Sequence, residues 1–481
     1  MNNAFYRKVG FGLAPGQEAP ADPLKWALGQ VDEMPPLPWP NKLPTSAEQL
    51  AREGEEVYTD RKVLREKHKT DRNAYRAARK ALKIRLGKEF YHAQEDIVRT
   101  HAALHSGAPI YERLTMFWAN HFALSDKDNL KQYQSGPMYR EIIRPGLAGK
   151  FSDLLREVTI SWPMIQHLDN SQSEGPQSKQ GRWRKQNKGE ATTINENHAR
   201  ELLELHTVSP AAGYTQRDVI QLTYIMTGWR VGYSKKRLEC NPVVFKSEYH
   251  QPGAHEVLGK KYKQRNLDSK NKLLDVMDDL ARHPSTYRYI SWKLARHFIT
   301  DEPSEEMIAP IIKAWEDSDG YLPAVHAALI EQVWAHGAAH HKFQMPAIWL
   351  TQMLNMSGME ALPSAKVMAD FSFEREPSKH IRTIQRALNE LGHEPLASEQ
   401  PNGYPDTEAS WISPEFLIRR MALASRFYRI CRSEFDSHTA MEASARQNFA
   451  PEDDVMRLVY QQGDSTQRFT LFFNHPRMLK A

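Results

Sequence analysis

Residues 195–230 read NENHARELLELHTVSPAAGYTQRDVIQLTYIMTGWR. The first third places His198, Glu201, Glu204 and His206 within about two and a half helical turns, among Ala, Leu, Arg and Glu, which favour helix. The spacing predicts a helix over roughly 195–208. Pro210 to Gly213 break it, Thr215 is a plausible N-cap, and a second helix follows over roughly 216–227. At ~100° per residue, Asn195, His198, Glu201, Leu202, Leu205 and His206 share one arc of about 140°. Arg200 and Glu204 fall on the other side. The predicted helix therefore offers His198, Glu201 and His206 to one interior, with Leu202 and Leu205 between them. Charged groups placed there need partners, because burying them unpaired is costly.

Three readings of this constellation compete. The first is a hydrogen-bonded polar network that fixes helix packing. The second is a divalent-metal site of His121, His198, Glu201 and His250, since imidazole and carboxylate at i, i+3 can hold one ion; the spacing is not HExxH. The third is metal-free acid–base work or anion binding. Here His198, Glu201 and His206 act as catalytic groups, with Arg200 or Arg230 as the electrophile and Trp229 as a stacking wall. His121 and His250 are binding candidates from outside the helix. His121 lies in the apolar stripe of PIYERLTMFWANHFALS (109–125). His250 lies in the irregular stretch YHQPGAHEVLG, and loops on a rigid scaffold often carry function. His297, in KLARHF, reads as a packing or capping residue.

Working outward, the bulk properties set bounds. The chain has 481 residues, 40% apolar and 10% aromatic, with a net charge of +5, enough for a large core and too mild to demand an anionic partner. Only Cys240 and Cys431 are present and no CxxCH occurs, so a disulfide framework and a covalent c-type haem are out. No apolar run approaches the ~20 residues of a membrane span. The first residues lack the apolar core of a secretory leader, so a cytoplasmic chain is expected.

The expected fold class is mainly α: a compact multi-helix protein with at most a small β-hairpin near 243–258. Residues 1–50 read as a Pro-rich arm lying along the surface, with PPLPWP at 35–40 extended. Residues 51–106 read as a basic helical segment; between Arg61 and Lys88 stand 12 Lys or Arg against two acids, Glu66 and Asp71. A solvated face is the plain reading and a patch for an acidic partner the sharper one; nucleic acid is the weakest of the options. Residues 107–265 form the central helical core and 266–481 a helical region packed with it. Residues 171–193, polar and rich in breakers, read as a loop. Helices are expected at 269–283, 285–299, 304–317, 321–335, 344–358, 377–391, 413–431 and 450–461.

Several pieces together resemble the bacterial DUF1800 family, a domain of unknown function. They are RKVGFGLAP (7–15), ERLTMFWANHFALS (112–125), LLREVTISWPMIQHLDNSQS (154–173), residues 195–229, HQPGAHEVLGKKY (250–262), ARHPSTYRYISWKLARHFITDEP (281–303) and, more loosely, LGHEPLASEQPNGYPDTEASWISPEFLIRRMALA (391–424). The resemblance covers nearly the whole chain in matching order. It implies a predominantly helical fold without an established activity. It also implies export in many members and frequent company with proteins of the sulfatase-like DUF1501 family. The matched polar positions are His121, Asn195, Glu196, Arg200, Glu201, Glu204, His206 and His250. Two departures stand out. Trp162-Pro163-Met164 occupies a place where the family commonly has His-Pro, and Val208-Ser209-Pro210 follows the central Thr where Leu-Gly is common. The sequence leaves two function classes open: an enzyme with a His/Glu-lined pocket that uses no metal or a divalent one, and a non-catalytic binding or assembly protein with a structural polar core.

Overall fold

The computed structural model describes residues 4–39, 42–86, 88–124, 133–232, 243–265, 270–338, 341–359, 383–431, 437–460 and 463–481. The chain is mainly helical. The described β-structure is two antiparallel two-stranded sheets and two isolated bridges. The strand-like stretch does form β-structure, with different partners from those expected. Val243–Phe245 pairs back with Trp229–Val231, and His255–Val257 pairs with Lys260–Tyr262. The second pair turns through Leu258 and Gly259, both with positive φ, the geometry of a two-residue hairpin turn. Leu is an unusual first residue for such a turn, so nothing local announces it.

Apolar side chains gather into two clusters. The larger joins the helices Pro109–His121, Phe151–Thr159, Gln216–Met226, Asn271–Ala281, Pro284–Phe298 and Leu322–His336, with Trp118, Phe151 and Trp315 deep inside. The smaller is built on Pro346–Ser357, Pro414–Cys431 and Ser465–Phe473, around Trp349. Helices fall where expected after residue 266; the part of the expected 377–391 helix before residue 383 lies outside the described residues. The helices Ser437–Asn448 and Ser465–Phe473 were not anticipated.

Three expectations are corrected. The first residues are not a surface arm: Phe5, Tyr6, Arg7 and Lys8 of the helix Ala4–Val9 are all buried. Arg7 Nη1 donates to the Asn448 carbonyl (2.6 Å) and Lys8 Nζ to the Ile299 carbonyl (3.2 Å), which ties this helix to both halves of the chain. Residues 171–193 contain a helix, Lys179–Lys188, capped by Ser178, whose side chain accepts the Gly181 amide. The central helix is not one regular α-helix. Asn197–Glu201 is α-helical and Leu202–His206 is a π-helical turn. A π turn rotates each residue by less than 100°, so the wheel slips: Leu203 is buried and Leu205 is only half-buried, the reverse of the expected arc.

The basic segment is an antiparallel helical hairpin. Ser46–Tyr58 continues through a π-helical stretch, Thr59–Leu64, and Arg65–Lys67 before the chain turns back into Arg72–Arg85. Arg85 pairs with Glu55 (2.7 Å), and Tyr75 donates to Asp60 (2.6 Å). Among residues 62–81 none is buried, so the end of the hairpin stands away from the body.

Candidate functional site

Four segments meet at the C-terminal end of the helix Pro109–His121. They are that helix, the π turn Leu202–His206, the helix Pro284–Phe298, and the loop around residues 402–406. Aromatic packing brings the first two together: Phe122 lies edge-on to the His206 ring (5.2 Å between centroids), and the His121 and His206 rings are 6.3 Å apart. The loop is clamped to the residue before His121. Asn120 Nδ2 donates to the Tyr404 carbonyl (2.9 Å), and the Tyr404 amide donates back to Asn120 Oδ1 (2.8 Å). Gly403 makes this possible: its φ is +74°, and a Cβ there would meet the Asn120 carbonyl oxygen at 2.4 Å.

At the centre Lys293 Nζ donates to His121 Nδ1 (3.0 Å), and His121 Nε2 donates to the His206 carbonyl (3.3 Å). A carbonyl only accepts, so Nε2 carries the proton and Nδ1 presents its lone pair to the lysine. His121 is buried, and burial together with the nearby Lys293 ammonium holds its pKa well below the ordinary value. Lys293 is half-buried. Desolvation brings its ammonium down to about 8, partly offset by Asp406. The same ammonium stands 5.5 Å from the Tyr289 ring, one turn back. Asp406 is ion-paired with Arg296 (3.3 Å) and lies 3.4 Å from His297 Nδ1; the His297 hydrogen bond and the surrounding positive charge overcome its burial and hold its carboxyl well below the usual range.

The predicted residues divide into distinct neighbourhoods. His121 and His206 belong to the junction. His206 is buried and pushed down to about 3 by desolvation. His198 is fully buried, and neither ring nitrogen has a hydrogen-bond partner among the described residues; burial and the neighbouring His206 and His167 keep it neutral. Glu201 is half-buried and interacts electrostatically with the Tyr214 hydroxyl. Glu204, expected to point away, accepts from Tyr214 (3.3 Å) and lies near enough to Tyr289 to help raise that hydroxyl to about 12, after burial. It rims the junction because the π turn brings it round. Arg200 sits outside, hydrogen-bonded to Glu196 (3.1 Å) and Gln216 (2.8 Å).

His250, Trp229 and Arg230 belong elsewhere. His250 Nδ1 donates to the Thr227 carbonyl (2.7 Å), and burial and Lys272 push its pKa down to about 4. Trp229 packs edge-on to Phe245 (5.4 Å) and lines a surface groove of about 940 Å³. Arg230 stacks over Tyr249 (4.2 Å) and pairs loosely with Glu174 (3.8 Å). The four residues of the metal reading do not fit one ion. His121 has both nitrogens engaged and a lysine ammonium beside it, His198 is enclosed, and His250 is held by Thr227. Among the described residues no group of three or more His, Cys, Asp or Glu is arranged to hold a metal.

The structure adds Lys293, Arg296, His297 and Asp406. A lysine on an amphipathic helix reads as solvated, and the NGYPD loop lies more than a hundred residues away, so no periodicity links them. The only sequence signal was that both stretches carry the family resemblance.

A family model described as "Protein of unknown function (DUF1800)" matches residues 4–477. No curated protein and no solved structure matches the chain. The chain therefore belongs to the DUF1800 family.

Proposed function

We propose that this DUF1800 protein is an enzyme whose working pair is Lys293 and His121. The observation that carries the reading is the 3.0 Å contact from Lys293 Nζ to His121 Nδ1 at the edge of a buried junction. A lysine whose pKa lies about 8 is partly unprotonated near neutral pH, so it can act as a general base or attack a carbonyl carbon. His121 fixes the direction of the amine through a lone pair that the His206 carbonyl holds in place. Asp406 and Arg296 set the local charge, and Tyr289, with Glu204 and Tyr214 next to it, stands beside the ammonium. His198 is an internal member of the cluster and has no route to substrate in this reading. No step in it calls for a metal.

The test is site-resolved labelling with trinitrobenzenesulfonate, which reacts only with unprotonated amines. Lys293 is expected to label with a midpoint near pH 8, ahead of the exposed lysines, and turnover on a panel of ester and carbonyl substrates is expected to vanish in a folded Lys293→Met protein. A Lys293 that labels only with the exposed lysines overturns the proposal.

A second reading, a non-catalytic assembly role, is favoured by the projecting basic hairpin. Arg72, Arg76, Lys80 and Lys83 line its outer surface and make no ion pair among the described residues. Charge complementarity suits an acidic protein partner, and the family association suggests a DUF1501-family protein. Co-purification that is lost with Arg72→Glu, Arg76→Glu and Lys80→Glu supports this role. Co-purification that survives those changes, or no partner at all, removes it.

A further inference from the structure

The helix Lys179–Lys188 and the loop 247–252 enclose a cleft of about 780 Å³, within the range of small-molecule sites. Its walls are tied together. The Gly175 amide donates to the Tyr249 carbonyl (3.0 Å), and the Gln177 amide donates to Gln251 Oε1 (2.9 Å). These bonds hold the chain that enters the helix against the loop.

The lining combines three kinds of group. Trp183 is 46% exposed, a large aromatic surface left in water, with the Lys188 ammonium 5.7 Å from its ring. Lys179 and Arg182 are exposed on the lining and make no ion pair among the described residues. They flank the first turn of the helix, where backbone amides and the helix dipole favour an anion. His250, 4% exposed, is a buried member of the lining. Its Nδ1 is committed to Thr227, so Nε2 is an acceptor, and it has no protein partner. That nitrogen is closed off from solvent, so His250 adds its ring, and no hydrogen bond, to the wall of the cleft. Glu248, also on the lining, accepts from hydroxyl or amino donors.

We propose that this cleft binds a phosphomonoester carried on a ring, of the kind found in mononucleotides and sugar phosphates. The phosphate sits against Arg182, Lys179 and the helix N-terminus, and the ring lies on Trp183. Arg182 supplies the forked donor that phosphate oxygens match, and an aromatic face accepts either a base or the apolar face of a sugar. The site is separate from the Lys293 junction and stands whether or not that junction is catalytic.

Calorimetric titration of the full chain with AMP, glucose 6-phosphate and inorganic phosphate tests the proposal. One ring phosphate is expected to bind at least tenfold more tightly than inorganic phosphate, and which one it is tells a nucleotide site from a sugar-phosphate site. Trp183→Ala is expected to weaken the ring phosphate by roughly tenfold and leave inorganic phosphate unchanged. Arg182→Gln is expected to weaken both. Both side chains are exposed, so the fold survives either change. Absence of binding at millimolar ligand, equal affinity for inorganic phosphate, or indifference to both variants overturns the assignment.

Discussion

The His121–Lys293 junction and the basic hairpin both gather cationic or ionisable nitrogen, and water divides them. In the hairpin, Arg72, Arg76 and Lys80 are surrounded by solvent, and none of the residues 62–81 is buried. In the junction, His121, His198 and His206 are enclosed and Lys293 is half-enclosed, and burial lowers the pKa of every one of them. The hairpin spends charge where it costs nothing and can attract a partner at long range. The junction keeps polar groups where charge is expensive, and that expense is what makes their chemistry different from that of free side chains.

The largest break in this contrast is expected from acid. His206, His326 and His393 are pushed down to about 3, and His250 and His255 to about 4, all chiefly by burial. Below the unfolded value of ~6.5 the unfolded chain takes up protons that the folded chain refuses, so stability is lost as pH falls. At pH 5 these five groups together withdraw on the order of 10 kcal/mol. Asp96, raised to about 7 by burial, binds its proton better when folded and offsets part of this. Urea midpoints should fall steeply between pH 6.5 and 5, and a flat profile over that range would show that the histidines are not buried.

Next in size is the ion pair on the same helix as His121. Glu112 and Arg144, with side chains 0% and 3% exposed, are 2.7 Å apart. Glu112→Ala leaves a buried guanidinium without its carboxylate and is expected to cost about 3–5 kcal/mol by denaturant titration. A loss below about 1 kcal/mol, the worth of an exposed pair, would place that pair with the hairpin rather than the core.

Lys293→Met has the opposite sign. It removes a desolvated cation and is expected to raise stability at pH 7 by about 1–2 kcal/mol, some of the gain being lost because His121 Nδ1 loses its donor. The wild-type amine has a lowered folded pKa, so its destabilising effect fades as pH rises from about 8 toward the unfolded value near 10.4. The advantage of the variant should shrink over that window, and a pH-independent difference would assign the effect to packing alone. The smallest effect is expected in the hairpin: Arg76→Glu with Lys80→Glu should move stability by less than about 0.5 kcal/mol per site. A larger change would mean that the hairpin packs on the body after all.

Much of this contrast was legible in the sequence, for particular reasons. The density of Lys and Arg over 61–88 announces a solvated segment; residues 62–81 stay unburied, while Leu82 and Leu86 near its end are buried. The stripe Leu114, Phe117, Trp118, Phe122 announces a buried helix face, and His121 within it is buried. The partners were less legible. Lys293 looks like any surface lysine on a helix, and only the approach of His121 makes it a different group. His121 and His250, equally good candidates as isolated histidines, end in separate places because Thr227 captures one and Lys293 the other.

Composition, helical periodicity and cap residues determined that this chain is mainly helical and that the helices within residues 195–230 bury one face. Those signals act over a few turns, where each residue's preferences are nearly independent of the rest of the molecule. The π turn at Leu202–His206, the pairing of Val243–Phe245 with Trp229–Val231, and the meeting of His121 with Lys293 were decided by tertiary structure. Each depends on groups brought together across long stretches of chain, and the free energy of packing them outweighs the local preferences that a helical wheel can read.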